Sequence, residues 1–570
     1  MHPSNVQDTP AVTATARVRR AYARIAEADR PEVWIALRPA SAALADAAAV
    51  DERVAAGEAL PLAGLTLAVK DNVDVAGLPT TAGCPAFAYD PAASAPAVQR
   101  LTDAGAVVLG KTNLDQFATG LVGTRSPYGA VRDARRPERI SGGSSSGSAV
   151  AVALGIADIA LGTDTAGSGR VPAAFQGIVG IKPTRGLVPT DGVVPACRTL
   201  DCVTIFAREL ALAERAMALM TTPAGRAWPA DAPLGAPPAA RVAVPRALPG
   251  LSAEAGAAFA AAAGRLAAAG AELVEIDLEP FLAAARLLYQ GAFVAERHAA
   301  VGPFVDAHRE QVDPTVGAII AAAGTLPAHA LVTDTERLDA LRAVAEAELD
   351  GADALLVPTA PRHPTLAEVA ADPVGVNTEL GTYTNFANLL DLCGVAVPAG
   401  EADGGHFGVT VLARAFADRV AADVAGLLAG PAEPAGGPPG VEVFVVGAHR
   451  AGQPLNGELT ARGARLVRTA TTSAEYRLHR LDTQPPKPGL LRVGDGGARI
   501  EGELWALPPA GLGDLLAALP APMALGRVRL ADGARPVGFL CEPAALGDAQ
   551  DITAFGSWPA YLDAAAALAP

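Results

Sequence analysis

Two segments rich in glycine and serine constrain what this chain can fold into. Residues 142–148 read GGSSSGS and residues 162–170 read GTDTAGSGR. Both are predicted to be loops, because glycine adopts positive φ and lets a backbone approach a substrate closely. They place Ser144 and Ser168 24 residues apart. A serine hydroxyl beside backbone N–H donors is what acyl transfer requires, so the two loops indicate an enzyme.

Short apolar runs alternate with helical patterns around the two loops. Residues 65–69, 106–110 and 159–162 are apolar and favour strands, and residues 98–105 are typical of a helix that ends at a glycine. This alternation predicts an α/β fold, a layered domain with a mixed or mostly parallel sheet. Lys70 follows the first run directly, so we expect its side chain at a strand end.

A segment rich in proline and glycine divides the chain. Residues 431–440 read PAEPAGGPPG, a composition that can continue neither a helix nor a central strand. A length of 570 residues also exceeds what one hydrophobic core usually covers. We therefore predict a domain at 1–430, a linker at 431–440 and a second domain at 441–570. Short strand-like runs follow the linker, which predicts that the second domain is β-rich.

Charge and cysteine content exclude several classes of function. The formal net charge is −15, which argues against a nucleic-acid surface because phosphate binding needs clustered Lys and Arg. The five cysteines lack CxxC spacing, which disfavours a zinc site or a disulfide framework and fits a reducing compartment. Neither a signal peptide nor an apolar stretch long enough to span a bilayer is visible. We therefore expect a cytoplasmic protein that binds neither nucleic acid nor membranes.

A serine nucleophile needs a base that removes its proton. None of the eight histidines lies in either loop, and neither loop contains the GxSxG motif of a hydrolase elbow. Lys70 is a candidate base, because burial lowers a lysine pKa, and the second serine could relay the proton. Taken singly, the loops also fit flexible Gly/Ser segments and Lys70 fits a surface strand end. A phosphate-binding loop is disfavoured because GxxxxGK[ST] is absent.

Taken together, Lys70 and the two loops resemble the amidase signature family of Ser–Ser–Lys hydrolases in residue type and spacing. The resemblance runs through most of residues 20–425, and it includes residues 384–390, which resemble a structural part of that fold. It implies a mixed central sheet covered by helices, and no metal or organic cofactor. It also implies that Ser168 is the nucleophile, that Ser144 bridges it from a cis peptide, and that Lys70 is the base. The implied oxyanion hole is formed by the backbone N–H groups of Thr165, Ala166, Gly167 and Ser168.

Two further segments resemble the allophanate hydrolases within that family. They are residues 195–202, PACRTLDC, and residues 288–297, LYQGAFVAER. The resemblance implies that Tyr289 and Arg297 hold the carboxylate of the substrate. A guanidinium group suits this task because it can bond both carboxylate oxygens at once. The alternative is an amphipathic helix that presents both residues on one face, with the tyrosine packed inside and the arginine solvated.

The segment after the linker resembles the carboxy-terminal domain of allophanate hydrolases. This resemblance implies a γ-glutamylcyclotransferase-like α+β fold that removes CO2 from N-carboxycarbamate. His449, in residues 447–456, is the candidate residue of this domain, because an imidazole exchanges protons near neutral pH. The alternative is a histidine whose hydrogen bonds are satisfied within its loop. Lys487 is a second candidate, although a rigid exposed turn at PPKPG explains it equally well.

The implied activity is hydrolysis of allophanate, a small planar anion, to ammonia and N-carboxycarbamate, and finally to ammonia and CO2. Such a reaction belongs to urea or s-triazine degradation. The resemblance also implies a homodimer and functional coupling to urea carboxylase. Three alternatives stay open: another amidase of the same family, an amidotransferase subunit, and a non-catalytic relative that binds a carboxylate.

Overall fold

The computed structural model describes residues 12–222, 225–431, 436–547 and 549–567. The chain divides into two compact units. Unit 1 comprises Met1–Ala227 and Ala240–Gly436, and unit 2 comprises Trp228–Ala239 and Gly437–Pro570. Of the predicted linker at 431–440, residues 432–435 lie outside the described residues.

The segment Trp228–Ala239 belongs to unit 2, although the sequence analysis assigned it to the first domain. Two backbone hydrogen bonds explain this. Leu234 N–H donates to the Gly463 carbonyl at 2.9 Å, and Ala510 N–H donates to the Ala230 carbonyl at 3.0 Å. The Leu234 side chain is also buried. Unit 2 is therefore built from two separate parts of the chain.

Unit 1 is organised around one eleven-stranded sheet. Its strands are β1 (Trp34–Leu37), β2 (Thr66–Lys70), β3 (Val107–Thr112), β4 (Ile159–Asp164), β5 (Val179–Lys182), β6 (Cys202–Ala207), β7 (Arg241–Pro245), β8 (Glu272–Ile276), β9 (Ala354–Pro358), β10 (Cys393–Ala402) and β11 (Gly405–Ala413). Their order in the sheet is β1-β3-β2-β4-β6-β5-β10-β11-β9-β7-β8. β2 runs parallel to β3 and β4, whereas β4 and β6 are antiparallel. The sheet is mixed, as the sequence predicts.

Helices cover this sheet. They are α1 (Ala14–Ala28), α2 (Ala40–Ala55), α3 (Pro96–Asp103), α4 (Ser146–Ala153), α5 (Val171–Gln176), α6 (Leu210–Met220), α7 (Ala253–Ala268), α8 (Glu279–Gln290), α9 (Ala295–Ala307), α10 (Pro314–Ala323), α11 (Ala328–Glu348), α12 (Leu366–Ala371), α13 (Gly375–Leu380), α14 (Asn385–Leu389) and α15 (Asp418–Ala429). Every residue of β2, β4 and β6 is buried, because both faces of the central strands are covered. The α/β class and the helix-covered mixed sheet are thus confirmed.

Unit 2 is β-rich, which confirms that prediction. Its strands are β12 (Val441–Val445), β13 (Arg465–Thr471), β14 (Tyr476–Leu481), β15 (Lys487–Arg492), β16 (Glu501–Leu507), β17 (Met523–Arg527), β18 (Val537–Cys541) and β19 (Gln550–Asp551), and its helices are α16 (Asn456–Thr460), α17 (Pro509–Ala517) and α18 (Trp558–Ala567). A five-stranded sheet has the order β13-β16-β12-β18-β17, and a three-stranded sheet has the order β15-β14-β19.

Among the described helices, none is by itself long and apolar enough to cross a membrane. One pair, α10 and α11, passes the test of length and composition when taken together, but a bend of 93° separates its two helices.

Candidate active site

Parallel strands bring Lys70 and the second glycine-rich loop to one edge of the sheet. Lys70 is the last residue of β2, and Thr163 is the penultimate residue of the parallel neighbour β4. The carboxyl ends of parallel neighbours meet, so the two side chains lie together. Lys70 Nζ is 2.6 Å from Thr163 Oγ1 and 2.8 Å from Ser144 Oγ. Lys70 is fully buried, which excludes a surface strand end.

Burial lowers the pKa of Lys70 to about 7, because the low dielectric of the interior disfavours the ammonium form. The carboxylates of Asp115, Asp201 and Asp164 oppose this shift, and the Arg297 guanidinium supports it. Near neutral pH a large fraction of Lys70 is therefore the neutral amine. A neutral amine with two hydroxyl neighbours can accept a proton through one of them.

Asp115 contacts the loop that carries Ser144 through its backbone N–H, and its buried carboxylate binds the neighbouring segment 122–125. Asp115 accepts hydrogen bonds from the backbone N–H groups of Val122, Gly123 and Arg125 at 3.0 to 3.2 Å. Its own N–H donates to the Ser144 carbonyl at 3.2 Å. The Gly143–Ser144 peptide bond is cis, as the family resemblance implies.

Ser168 lies in the turn between β4 and α5. Its hydroxyl donates to the Gly120 carbonyl at 3.5 Å. Gly167 has φ +144, and a Cβ atom there would lie 2.5 Å from Thr384 Oγ1, so only glycine fits. Thr165, Ala166 and Ser168 are buried. Within the described residues, the N–H groups of residues 165–168 have no partner among the backbone hydrogen bonds. Buried N–H donors of this kind are suited to stabilise an oxyanion.

A charged network fixes the ends of the Ser168 loop. Arg170 forms a two-point ion pair with Asp164, with both N–O distances at 2.9 Å. The same guanidinium donates to the Thr384 carbonyl at 3.1 Å and to Asn388 Oδ1 at 3.0 Å. Asn388 in turn donates to the Asp164 carbonyl at 2.8 Å. Residues 384–390, which the sequence analysis interprets as structural, therefore brace the loop that carries Ser168.

The carboxylate of Asp201 also holds the loop that carries Ser168. Asp201 accepts a hydrogen bond from Thr165 Oγ1 at 2.5 Å and from Ala196 N–H at 2.9 Å. Burial raises the pKa of Asp201, and these donors oppose that shift. Asp201 belongs to residues 195–202, the segment that resembles allophanate hydrolases, so this segment positions the candidate oxyanion hole.

Tyr289 and Arg297 meet, but they do not share a helix. Tyr289 lies at the end of α8 and Arg297 near the start of α9, with a break at Gly291. Arg297 is almost fully buried, and it donates to the Tyr289 hydroxyl at 2.8 Å and to Thr119 Oγ1 at 2.9 Å. The single-helix alternative with a solvated arginine is therefore wrong. Arg297 Nε is buried and has no hydrogen-bond partner among the described residues.

Sequence reasoning missed Thr163, Asp115 and Asp201. Thr163 and Asp201 stand within segments that the sequence analysis names, but their polar contacts depend on which strands and loops become neighbours. Asp115 is far from both loops in sequence, and no local pattern marks it. In the part of the chain that the structure describes, no group of three or more His, Cys, Asp or Glu side chains is arranged to hold a metal ion.

In unit 2, His449 and Lys487 line one cavity of about 230 Å³. His449 is buried and lies 3.0 Å from Glu458 Oε2 through Nε2. Its ring stacks on Phe539 at 4.6 Å. Burial lowers the pKa of His449, and Glu458 opposes that shift. Lys487 is half-buried rather than part of a fully exposed turn.

Two families of proteins match this chain. Residues 16–420 match the Amidase family, and residues 441–563 match the family described as allophanate hydrolase C-terminal domain. The first match contains the whole Lys70 site, and the second contains the cavity beside His449.

Individual proteins also match this chain. The urea amidolyase of Lachancea kluyveri is 43% identical over 547 residues, covering 88% of this chain and 30% of that protein. A structure of Kluyveromyces lactis allophanate hydrolase matches with a TM-score of 0.88 and 38% identity, covering 97% of both chains. A glutamyl-tRNA(Gln) amidotransferase subunit from Koribacter versatilis is 34% identical over 456 residues, covering 71% of this chain and 92% of that protein. The chain thus spans less than a third of the urea amidolyase.

Proposed function

This chain belongs to the amidase family, and on that basis we propose that unit 1 hydrolyses allophanate to ammonia and N-carboxycarbamate. The observation that carries the proposal is the buried pair of Arg297 and Tyr289, in which the charge of Arg297 also helps to lower the pKa of Lys70. An amidohydrolase whose site contains a buried guanidinium group is suited to an amide that carries a carboxylate.

The first half of the reaction forms an acyl-enzyme. The Ser168 hydroxyl turns from the Gly120 carbonyl to Ser144, and Ser168 Oγ attacks the terminal amide carbonyl. Ser168 passes its proton to Ser144, which passes its own proton to Lys70 Nζ. The N–H groups of residues 165–168 stabilise the oxyanion, and removal of one such donor typically costs about 100- to 1000-fold in rate. The C–N bond then breaks as the proton returns through Ser144 to the leaving nitrogen, which departs as ammonia.

The second half releases the acid. Neutral Lys70 takes a proton from water, again through Ser144, and the hydroxide formed attacks the acyl carbonyl. Ser168 Oγ leaves and regains its proton by the same route. N-carboxycarbamate and the starting enzyme result.

Specificity follows from the burial of Arg297. The Asp201 carboxylate acts on the Arg297 guanidinium without forming a close ion pair with it in the described part of the chain. A buried guanidinium that lacks such a pair is unfavourable, so a substrate carboxylate beside it gains more than a neutral group does. The free Nε of Arg297 is one donor that such a carboxylate can take.

We further propose that unit 2 decarboxylates the product, with His449 as the proton donor. The imidazolium protonates the nitrogen of N-carboxycarbamate, the bond from that nitrogen to one carboxylate breaks, and its electron pair stays on nitrogen. CO2 and carbamate leave, and carbamate takes up a proton from solvent at its nitrogen and decomposes to ammonia and CO2. The match to part of a urea amidolyase supports coupling to a urea carboxylase in urea breakdown. We also propose that the protein is a homodimer and is located in the cytoplasm.

The rival functions have weaker support. The similarity in unit 1 also fits an amidotransferase subunit, but the second match at residues 441–563 does not. A non-catalytic carboxylate-binding relative accounts for Arg297 but not for a buried lysine with a pKa of about 7 beside two hydroxyl groups.

Substrate preference tests the proposal. We expect kcat/KM for ammonia release to be at least about 100-fold higher with allophanate than with biuret, because biuret has an amide in place of the carboxylate. In Arg297→Met the value for allophanate should fall about 100-fold more than the value for biuret, since the loss of the charge that helps to lower the pKa of Lys70 affects both substrates equally. Arg286→Met is the matched control, since Arg286 is an exposed arginine of α8. A wild-type preference for simple amides would overturn the allophanate assignment and leave the hydrolase assignment intact.

Thr163 gives a test of the base. In Thr163→Val we expect kcat to fall about ten-fold, because Lys70 loses the acceptor that orients it. The ammonium form loses this acceptor as well, so the pKa of Lys70 falls and the pH midpoint of kcat/KM moves downward. Thr112→Val is the matched control, since Thr112 ends the neighbouring strand β3 and its hydroxyl contacts Ser148 instead. Equal effects of the two substitutions would contradict the role of Thr163.

A further inference from the structure

The cavity of unit 2 has a net positive lining. Its ionisable residues are His449, Glu458, Arg462 and Lys487, so two basic side chains and an imidazole face one carboxylate. Arg462 donates through Nη1 to the Glu458 carbonyl at 2.7 Å, which fixes one side of the cavity. Arg462 Nε is buried and has no hydrogen-bond partner within the described part of the chain. The lining therefore has an excess of positive charge and an N–H donor without a partner, and both favour the binding of an anion.

Close packing of two backbone segments brings these groups together. Gly447 follows β12, and a Cβ atom at this position would lie 2.3 Å from the ring of Pro488. The loop that carries His449 therefore lies directly against the start of β15, where Lys487 stands. On the other side, β18 runs parallel to β12 and supplies Phe539, on which the His449 ring stacks. The positions of β12, β15 and β18 therefore place His449 and Lys487 close together.

We propose that Lys487 and Arg462 bind the two carboxylates of the substrate proposed for this cavity, N-carboxycarbamate, and that Glu458 is a positioning residue for His449. This inference deepens the proposed role of unit 2 and rests on it for the identity of the natural substrate. A cavity of about 230 Å³ has room for a small dicarboxylate dianion.

Glu458 has a definite task in this arrangement. It engages Nε2 of His449, so Nδ1 is the ring nitrogen left for a bound molecule. Its negative charge also favours the imidazolium, against the burial of the ring and the positive charges of Lys487 and Arg462. A proton donor next to a bound dianion needs this support, since protonation of the substrate nitrogen must precede loss of CO2.

The test uses malonate, a stable dicarboxylate with a CH2 group in place of the NH of N-carboxycarbamate. Malonate is titrated into the full chain while the His449 Cε1–H resonance is followed by NMR, with His449→Gln used to assign that resonance. This signal reports on unit 2 alone, whatever malonate does at Arg297. We expect saturable shifts with malonate and at least about ten-fold weaker binding of acetate, which has one carboxylate.

Substitutions then locate the anion contacts. Lys487→Met should weaken malonate binding by about ten-fold or more, and Lys487→Arg should restore most of it. Arg480→Met is the matched control, because Arg480 is an exposed cation on β14 directly opposite Pro488 in the register. Malonate affinity that is unchanged in Lys487→Met, or equally weak in Arg480→Met, would overturn the proposal.

A pH titration of the same resonance tests Glu458. In Glu458→Gln the pKa of His449 should fall, because the carboxylate that bonds the imidazole is lost from the cavity lining. An unchanged pKa would remove Glu458 from the proposal.

Ammonia release from allophanate by the wild type is assayed in parallel. Its absence would refute the proposed function of unit 1, while the malonate titration would still decide whether unit 2 binds dicarboxylates.

Discussion

Ser168→Ala is expected to lower kcat for ammonia release from allophanate by about 10⁵-fold, because the loss of a serine nucleophile removes the covalent route entirely. The Ser168 hydroxyl lies among the N–H groups of residues 165–168, which are unpaired with backbone acceptors in the described structure. The change removes a single oxygen atom, whose hydrogen bond to the Gly120 carbonyl is long at 3.5 Å, so the fold should be unaffected. Single-turnover ammonia release measures the effect.

Ser146→Ala is the matched control for this substitution. Ser146 is also a buried serine of the glycine-rich loops, but its hydroxyl donates to the Asn113 carbonyl at 3.2 Å. It should retain most of the activity. If Ser168→Ala kept more than about one hundredth of the wild-type rate, a 10⁵-fold role for Ser168 would be untenable.

Lys70→Met is expected to lower kcat/KM by about 10²- to 10⁴-fold, the range of a general base that is lost. Lys70→Arg should be equally inactive, because a guanidinium group cannot give up its proton near neutral pH. In the wild type, only the neutral amine accepts the proton of Ser144. Since the pKa of Lys70 is about 7, kcat/KM should rise about ten-fold per pH unit below pH 7 and level off above it.

Stability measurements separate this effect from unfolding. The pKa of Lys70 falls from 10.5 to about 7 on folding, so between these values the unfolded state binds more protons than the folded state. Stability therefore rises with pH across this window, and the buried amine disfavours folding at pH 7. Lys70→Met should keep or raise the melting temperature at pH 7. Activity that survives in Lys70→Met with the wild-type pH profile would exclude Lys70 as the base.

The sequence was sufficient to predict which strands carry the site. The apolar runs at 65–69 and 159–162 correspond to β2 and β4, so the approach of Lys70 to the loops follows from a parallel pair. The braces around the loops could not be predicted. Asn388 acts on Asp164 across a long stretch of chain, and the Asp115 N–H donates to the Ser144 carbonyl in the first loop. Both contacts depend on packing that no local pattern encodes.

The break between Tyr289 and Arg297 illustrates the same limit. Spacing alone allows one continuous helix, because eight residues return to the same face. In the structure, Ala292 N–H donates to Asp334 Oδ2 at 2.6 Å instead of continuing the helix. A Cβ atom at Gly291 would lie 2.7 Å from the same oxygen. A carboxylate from α11 therefore ends the helix and turns Arg297 inward, which the local sequence does not reveal.

The interleaved path of the chain affects how its two halves can be studied. Cutting the gene at the proline-rich stretch would give a carboxy-terminal fragment without Trp228–Ala239, whose backbone bonds to Gly463 and Ala510 would be missing. If such a fragment misfolded or aggregated, the cause would be the missing segment and not a lack of catalytic residues in unit 2. Fusion of Trp228–Ala239 ahead of Gly437 would allow unit 2 to be produced and studied separately from unit 1.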